Sequence, residues 1–334
     1  MKNGKQTIFT LLFGCLFLII SSSMTTVASA ATTITTTIDR VFEYSGLSSK
    51  SAIQNFDYGN KNEVFVTQRS GEDTILSRCI IEGVKCNVKD YVVLTKFGHG
   101  ESLEVIKEND KTYIWIGNTV NSNNWSTDIS LIEYQVDSSI STGAKVDNVK
   151  TINHLEKITN TSGSAFRSAV AIADGNDRIC FRVQIGTAAS NTYYAVYKLS
   201  DVTKALKAST GKISIEDLSS KQLTNFTGLA RPNNSFQGFD ITGVGSGNKF
   251  LYLYGGGAGQ TPTIFKYSYT NGGNTEHVKT IKIKGSYVGS LEAEGIKVEN
   301  DLNNSSKETV FLSFKPGYDD LGKQKPFRLY SLME

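Results

Sequence analysis

"SFQGFDITGVGSGNKFLYLYGG", Ser235–Gly256, sets a short mixed strand, a Gly-rich turn and a strongly apolar strand in that order. The order recurs. "AIQNFDYG" from Ala52, "HGESLEVI" from His99, "AFRSAVAI" from Ala165 and "SLEAEGIK" from Ser290 resemble "SFQGFDIT". Each leads through a polar turn into an apolar run: "EVFVTQ", "YIWIGN", "ICFRVQIG" and "VFLSFKP". Alternating, aromatic segments come third: "TILSRCII", "ISLIEYQV", "YYAVYKLS", "TIFKYSYT" and "FRLYSLM". Fourth strands such as "NVKDYVVL" and "HVKTIKI" follow the first four units, whereas the fifth unit runs out at Glu334. The unassigned "ATTITTTIDRVFEY" near the start can complete it. Five units of one internal order, spaced by roughly 45–70 residues, predict an all-β five-bladed β-propeller of four-stranded blades. Its last blade is closed by the N-terminal strand, so that no edge stays open.

The rest of the chain fits that frame. Runs of Val, Ile, Thr, Tyr and Phe are punctuated by Gly, Asn, Asp and Ser, and the one convincing helix is "SDVTKALKAS", with Ser200 or Asp201 as N-cap. Only four prolines occur and no long linker divides the chain, which predicts a single domain over residues 31–334. Ahead of it, Lys2 and Lys5 precede an apolar run from Ile8 to Ile20 and a small-residue "ASA" site. Residues 1–30 therefore read as a signal peptide, too short for a membrane span, and the mature protein is expected to be secreted and extracellular. Removing Lys2 and Lys5 from 35 basic residues leaves 33 against 32 acidic ones. So balanced a chain carries no electrostatic footprint for nucleic acid or anionic lipid, and it is expected to be a monomer without a membrane span.

Three of the four cysteines lie beyond the leader. A two-residue turn at Glu82-Gly83 would set Cys79 opposite Cys86, so a cross-strand disulfide and two free thiols are both open readings. Cys180, inside a strand-like run, reads as a buried apolar thiol.

In a propeller the first strand of each blade runs beside the central channel. Setting the five repeats in register puts Gln54, Glu101, Arg167, Gln237 and Glu292 at one equivalent position. Two places earlier stand Ala52, His99, Ala165, Ser235 and Ser290, mostly small; two places later Phe56, Leu103, Ala169 and Phe239 are apolar and Glu294 alone is charged. The candidate ligand-binding set is Gln54, His99, Glu101, Arg167, Gln237, Glu292 and Glu294, with Phe56 and Phe239 as an apolar floor. The plain alternative is a channel whose polar groups only satisfy backbone and water, with Arg167 neutralising carboxylates. Other motifs carry less. "GVGSGNK" and "GGGAG" open no helix as a phosphate cradle requires, "DGND" at Asp174–Asp177 lacks the ligand spacing of a calcium loop, and His154 and His277 stand far apart in the repeat. Neither a cofactor nor a metal is expected. Trp125 and Tyr193–Tyr194 read as side chains packing between blades.

"GHGESLEV", "SFQGFDI" followed by "FLYLYGG", and "EAEGIKV" followed by "VFLSFKPG" resemble the motifs of the helveticin J family of class III bacteriocins. The resemblance rests on His99 to Glu104, Gln237 to Asp240 and Glu292 to Ile296, and runs from about Phe97 to the C-terminus, weakening in the first repeat. It implies antibacterial activity at the envelope of related bacteria. The family's third repeat carries a His-x-Glu pair where this chain has Ala165 and Arg167; if that pair belongs to an active site, this chain either binds without cleaving or acts on another substrate. The leading expectation is a secreted antibacterial protein binding a cell-wall glycan at the channel mouth. The alternatives are a cell-wall glycoside hydrolase, with Glu101 and Glu292 as candidate catalytic carboxylates facing each other across the channel, and a non-lethal adhesin. Arg167 would keep a nearby carboxylate ionised, which suits a base, and no acid stands out.

Overall fold

The apolar runs after each turn become strands buried on both faces: Arg178–Ile185 is buried at all eight positions and Glu63–Ser70 at its first six. Both appear in a computed structural model that describes residues 30–334, apart from 160, 176, 243–248, 286 and 302–303. The leader over 1–29, the Gly-rich 243–248 and part of "DGND" lie outside the described residues. Among those described, no helix is long and apolar enough to cross a membrane.

The fold is all-β. Ile53–Asn60, Glu63–Ser70, Asp73–Glu82 and Lys85–Leu94 form a first antiparallel meander. Leu103–Glu108, Lys111–Val120, Ser126–Val136 and Ala144–Asn153 form a second, extended by the parallel Lys212–Ser214. Ala165–Ile172, Arg178–Ile185, Thr192–Lys198 and Gln222–Thr227 make the third. The helix Leu199–Ala208 sits between the last two of these strands, burying Leu199, Val202 and Leu206. It starts earlier than its sequence suggested, after Lys198, which makes no side-chain cap. Gly238–Ile241, Phe250–Gly255, Thr263–Tyr269 and Thr275–Ile283 build the fourth. Ala293–Asp301, Asn304–Phe314 and Arg328–Met333 build three strands of the fifth.

The N-terminal segment splits in two where one strand was expected. Asp39–Ser45 pairs antiparallel with Arg328–Met333 and completes the fifth meander, while Thr32–Thr36 adds a parallel fifth strand to the fourth. Asp39–Ser45 also pairs in parallel with Lys85–Leu94 of the first meander. The fifth and first meanders thereby merge into one eight-stranded sheet, and hydrogen bonding divides the fold into four sheets.

The leading strands of the five meanders touch in sequence, and the fifth returns to the first. Five separate apolar cores fill the gaps between consecutive meanders; Phe65 and Leu76 meet Leu103, Ile114 and Ile116, and Trp115 meets Phe181. Burial at about 25 cal/mol per Å² of apolar surface makes these cores the main stabilising term. Polar ties stitch the leading strands together at the centre. Asp57 Oδ2 accepts from Val105 N at 2.6 Å, Ser102 Oγ from Val170 N at 3.0 Å, and Asp240 Oδ2 from Val298 N at 2.6 Å.

Cys79, Cys86 and Cys180 are buried free thiols. The hairpin pairs Glu82 with Lys85 and Ile81 with Cys86, so its turn falls on Gly83-Val84, one residue later than expected, and Cys79 lies opposite Val88 after a bulge. Cys86 is thus diagonal to Cys79 rather than opposite it.

Candidate functional site

A cavity of about 620 Å³ opens where the leading strands begin, and Gln54, His99, Glu101, Arg167, Gln237, Glu292 and Glu294 all line it. Gln54 and Arg167 stand on the first residues of their strands, and Glu101, Gln237 and Glu292 on the segments that enter them. Gly100 sets the turn between His99 and Glu101: its φ is +79° and a Cβ there would lie 2.8 Å from Thr67 Cβ, while its carbonyl accepts from Thr67 Oγ1 at 2.6 Å. At the fifth strand the register breaks between Ala293 and Ile296, and Gly295 passes so close to Asn55 that a Cβ would meet its Cα at 2.9 Å. That irregularity brings Glu292 and Glu294 to the same cavity.

Arg167 organises the site. Its guanidinium grips Glu101 with two hydrogen bonds, Nε to Oε2 at 2.7 Å and Nη2 to Oε1, and Nη2 also donates to the Phe236 carbonyl at 2.8 Å. The ring of Trp125 covers it, with the guanidinium carbon 3.9 Å from the ring centroid, and that indole also packs at a tilt on His99 with centroids 3.8 Å apart. Trp125 is held in place by Asn121, whose Oδ1 accepts from Trp125 N at 3.2 Å and whose Nδ2 donates to the Phe166 carbonyl at 2.7 Å. Across the cavity Lys315 donates to Glu292 at 3.2 Å, and Gln54 donates to Glu294 at 3.1 Å.

Burial, and then the neighbouring carboxylates Glu292 and Glu101, push Glu294 well above the usual carboxylate range. Burial, with Arg69 and Arg167 adding to it, depresses His99 to about 3 and keeps its imidazole neutral. His99 is 8% exposed and its Nε2 meets no protein partner among the described residues. The site therefore sets charged groups, a carboxyl of raised proton affinity and a neutral imidazole around one space.

The chain matches the bacteriocin helveticin-J family over residues 34–306. It belongs to that family. No curated protein matches it in sequence. Among solved structures it is similar to the tail fibre of Staphylococcus aureus phage P68, at 16% identity and a TM-score of 0.54, covering 88% of this chain and 52% of the fibre. The chain thus spans about half the length of that relative, and the likeness concerns the fold alone. Weaker likenesses are to an exo-β-1,3-galactanase from Phanerochaete chrysosporium, at 9% identity and TM-score 0.49 over 88% of this chain and 63% of that one, and to a Coprinopsis cinerea GH62 α-L-arabinofuranosidase, at 10% and 0.47 over 89% and 96%.

The residues that carried the sequence resemblance occupy two levels of the centre. His99, Glu101, Gln237 and Glu292 face the cavity, while Glu104 and Asp240 lie deeper, buried with Asp57 around the fully enclosed Lys297. Lys297 Nζ bonds Glu104, stands 3.7 Å from Asp57 and 4.0 Å from Asp240, and donates to the Ile172 carbonyl at 3.5 Å. Phe56 and Phe239, expected as the cavity floor, are instead 0% and 4% exposed within the cores between meanders; the register shifts between Ile53 and Asn55, and Gln237 precedes its strand, so the alternation that would put residues two apart on one face is broken at both places. Trp125, expected to pack between meanders as Tyr194 does, lines the cavity. Arg69, Arg231, Phe236 and Lys315 were also missed. Arg69 and Lys315 close second strands, which return to the end where first strands start; aligning the second strands would have found them.

Proposed function

We propose that this chain is a secreted antibacterial protein of the helveticin J type that acts at the envelope of other bacteria by binding a cell-wall glycan in the central cavity. In this reading residues 1–30 are a signal peptide, and residues 31–334 are one five-bladed propeller whose five meanders are the blades. The observation that carries it is the cavity wall: donors and acceptors from Gln54, His99, Arg167, Gln237 and Glu294 line one space with Trp125, whose ring packs on Arg167 and His99. Sugar rings present the matching pattern of hydroxyls and an apolar face, and a wall fixed by ion pairs binds them with little reordering. Purified mature protein should be retained on isolated cell walls, and Trp125→Ala should weaken retention about tenfold. Equal retention of both proteins would sink the reading.

Hydrolysis of the wall is the second reading, and one observation favours it. Burial and the neighbouring Glu292 and Glu101 raise the proton affinity of Glu294, and such a shift is how an acid and a base are set apart in glycosidases. In that case Glu294 would protonate the leaving oxygen, and Glu292 or Glu101 would activate water or attack. Release of reducing sugar from walls by the wild type, lost in Glu294→Gln, would establish cleavage; retention without release leaves binding.

A further inference from the structure

We infer that the ligand of this cavity is an anionic wall polymer, whose phosphodiester or carboxylate group sits among Arg69, Arg167 and Arg231. The inference rests on the glycan-binding reading and narrows its substrate class. Four cationic side chains line the cavity: Arg69, Arg167, Arg231 and Lys315. Two of them are answered, Arg167 by Glu101 and Lys315 by Glu292. Arg69 and Arg231 have no carboxylate within ion-pair distance among the described residues, and the hydrogen bond found for Arg69 goes from Nε to the Gly71 carbonyl at 3.1 Å. The third lining carboxylate, Glu294, takes its hydrogen bond from Gln54 and makes no ion pair among the described residues.

The uncompensated charge continues behind the wall. Arg182 is fully buried, with its guanidinium carbon 3.7 Å from the Phe236 ring centroid, on a ring that also carries Arg167 at 4.9 Å. Its Nη1 donates to the Arg167 carbonyl at 3.3 Å, its Nε and Nη2 make no hydrogen bond among the described residues, and the Tyr194 hydroxyl stands close enough to act on its charge. Arg167 sits close enough to Arg231 and His99 for its charge to lower the proton affinity of both, and Arg69 acts on His99 in the same way.

A near-neutral chain has gathered four guanidinium groups at one place and, among the described residues, answers only that of Arg167 with a carboxylate. Like charges so arranged oppose folding, and an anion between them removes that opposition. Arginine is also the side chain whose flat fork matches the oxygens of a phosphate or carboxylate. A neutral sugar chain needs none of this excess. The neutral imidazole of His99, its Nε2 unused, adds one uncharged polar contact beside the anion.

The test measures retention of the mature protein on three wall preparations from one sensitive species: untreated, stripped of phosphodiester polymers with hydrofluoric acid, and amidated at carboxyls with a carbodiimide and an amine. The double variant Arg69→Gln/Arg231→Gln is run beside the wild type, with its melting temperature as the check on folding. Each charge-assisted contact is worth about tenfold in affinity. The expected result is a drop of about a hundredfold for the variant on untreated walls, together with loss of wild-type binding on one treated preparation. Loss on stripped walls assigns the phosphodiester; loss on amidated walls assigns the carboxylate. If both treated walls retain the protein as well as untreated ones do, and the variant binds like the wild type, the ligand is neutral and this inference falls while glycan binding stands. A single-stranded oligonucleotide that competes as well as the wall polymer overturns the assignment to the envelope. Failure to bind any wall removes the glycan reading itself. If the double variant melts early, Arg69→Lys and Arg231→Lys replace it; each keeps the charge but not the fork, and intermediate retention is expected.

Discussion

Arg167 and Glu101 are 12% and 9% exposed in their side chains, so each stands as the other's main solvent. Glu101→Gln would leave the guanidinium with one weaker acceptor and the Phe236 carbonyl. Removing one partner of a buried charge-assisted pair costs about 1–3 kcal/mol, measurable as a lower urea midpoint. Glu294 behaves oppositely. Its folded proton affinity lies above the ordinary 4.5, so the stability it lends is complete below about pH 4.5 and is lost as pH rises through the folded value. Asp240 and Glu299, both raised to about 7 mainly by burial, act in the same direction. The melting temperature should therefore fall between pH 5 and pH 8, and Glu294→Gln, which takes no proton and can keep the contact with Gln54, should flatten that fall. A wild-type melting temperature that climbs over this range would show that the opposing, exposed carboxylates dominate.

At the scale of the element, the five leading strands are tied by side chains that reach across to the next strand's backbone. Asp57 and Asp240 each accept a neighbour's N–H besides the following N–H on their own strand, at 2.8 Å in both cases. Lys297 supplies the positive charge that lets these carboxylates and Glu104 share the centre. Lys297→Met would leave three buried carboxylates without a counter-charge, costing about 3–5 kcal/mol, with the loss smaller in acid where the carboxylates are protonated. Gly100→Ala tests the entry to the second strand. It forces a side chain into positive φ against Thr67, so it should both destabilise the fold by about 1–3 kcal/mol and displace His99 and Glu101, weakening wall retention. The repeat made these strands legible and showed which residues share a position. It gave no sign of the bulge at Ala293–Ile296, because a bulge depends on how close Gly295 comes to Asn55, 240 residues away in the chain.

For the whole molecule, closure is the property that matters. Asp39–Ser45 lies between Arg328–Met333 and Lys85–Leu94, so it joins the last meander to the first through backbone hydrogen bonds as well as packing. A mature chain truncated at residue 46 would expose both edges and open the core that contains Phe42, Tyr44 and Leu329. It should aggregate or elute as oligomers on size exclusion, whereas truncation at residue 38 removes an outermost strand and should leave a folded monomer.

The order of strands, the fifth unit's need for an N-terminal partner, and the polar ring of Gln54, Glu101, Arg167, Gln237 and Glu292 follow from the sequence alone, because repetition exposes equivalent positions whatever the intervening loops do. The tertiary structure decided the rest of the site. Trp125 and Arg231 come from loops with no shared place in the repeat, and they meet Arg69 and Lys315, at the ends of second strands, only because the ring of meanders brings one end of every unit to the same mouth. Charge balance over the full chain hid a local excess of arginine for the same reason: composition sums over the molecule, while a field is set by which side chains the fold leaves unpaired within a few ångströms.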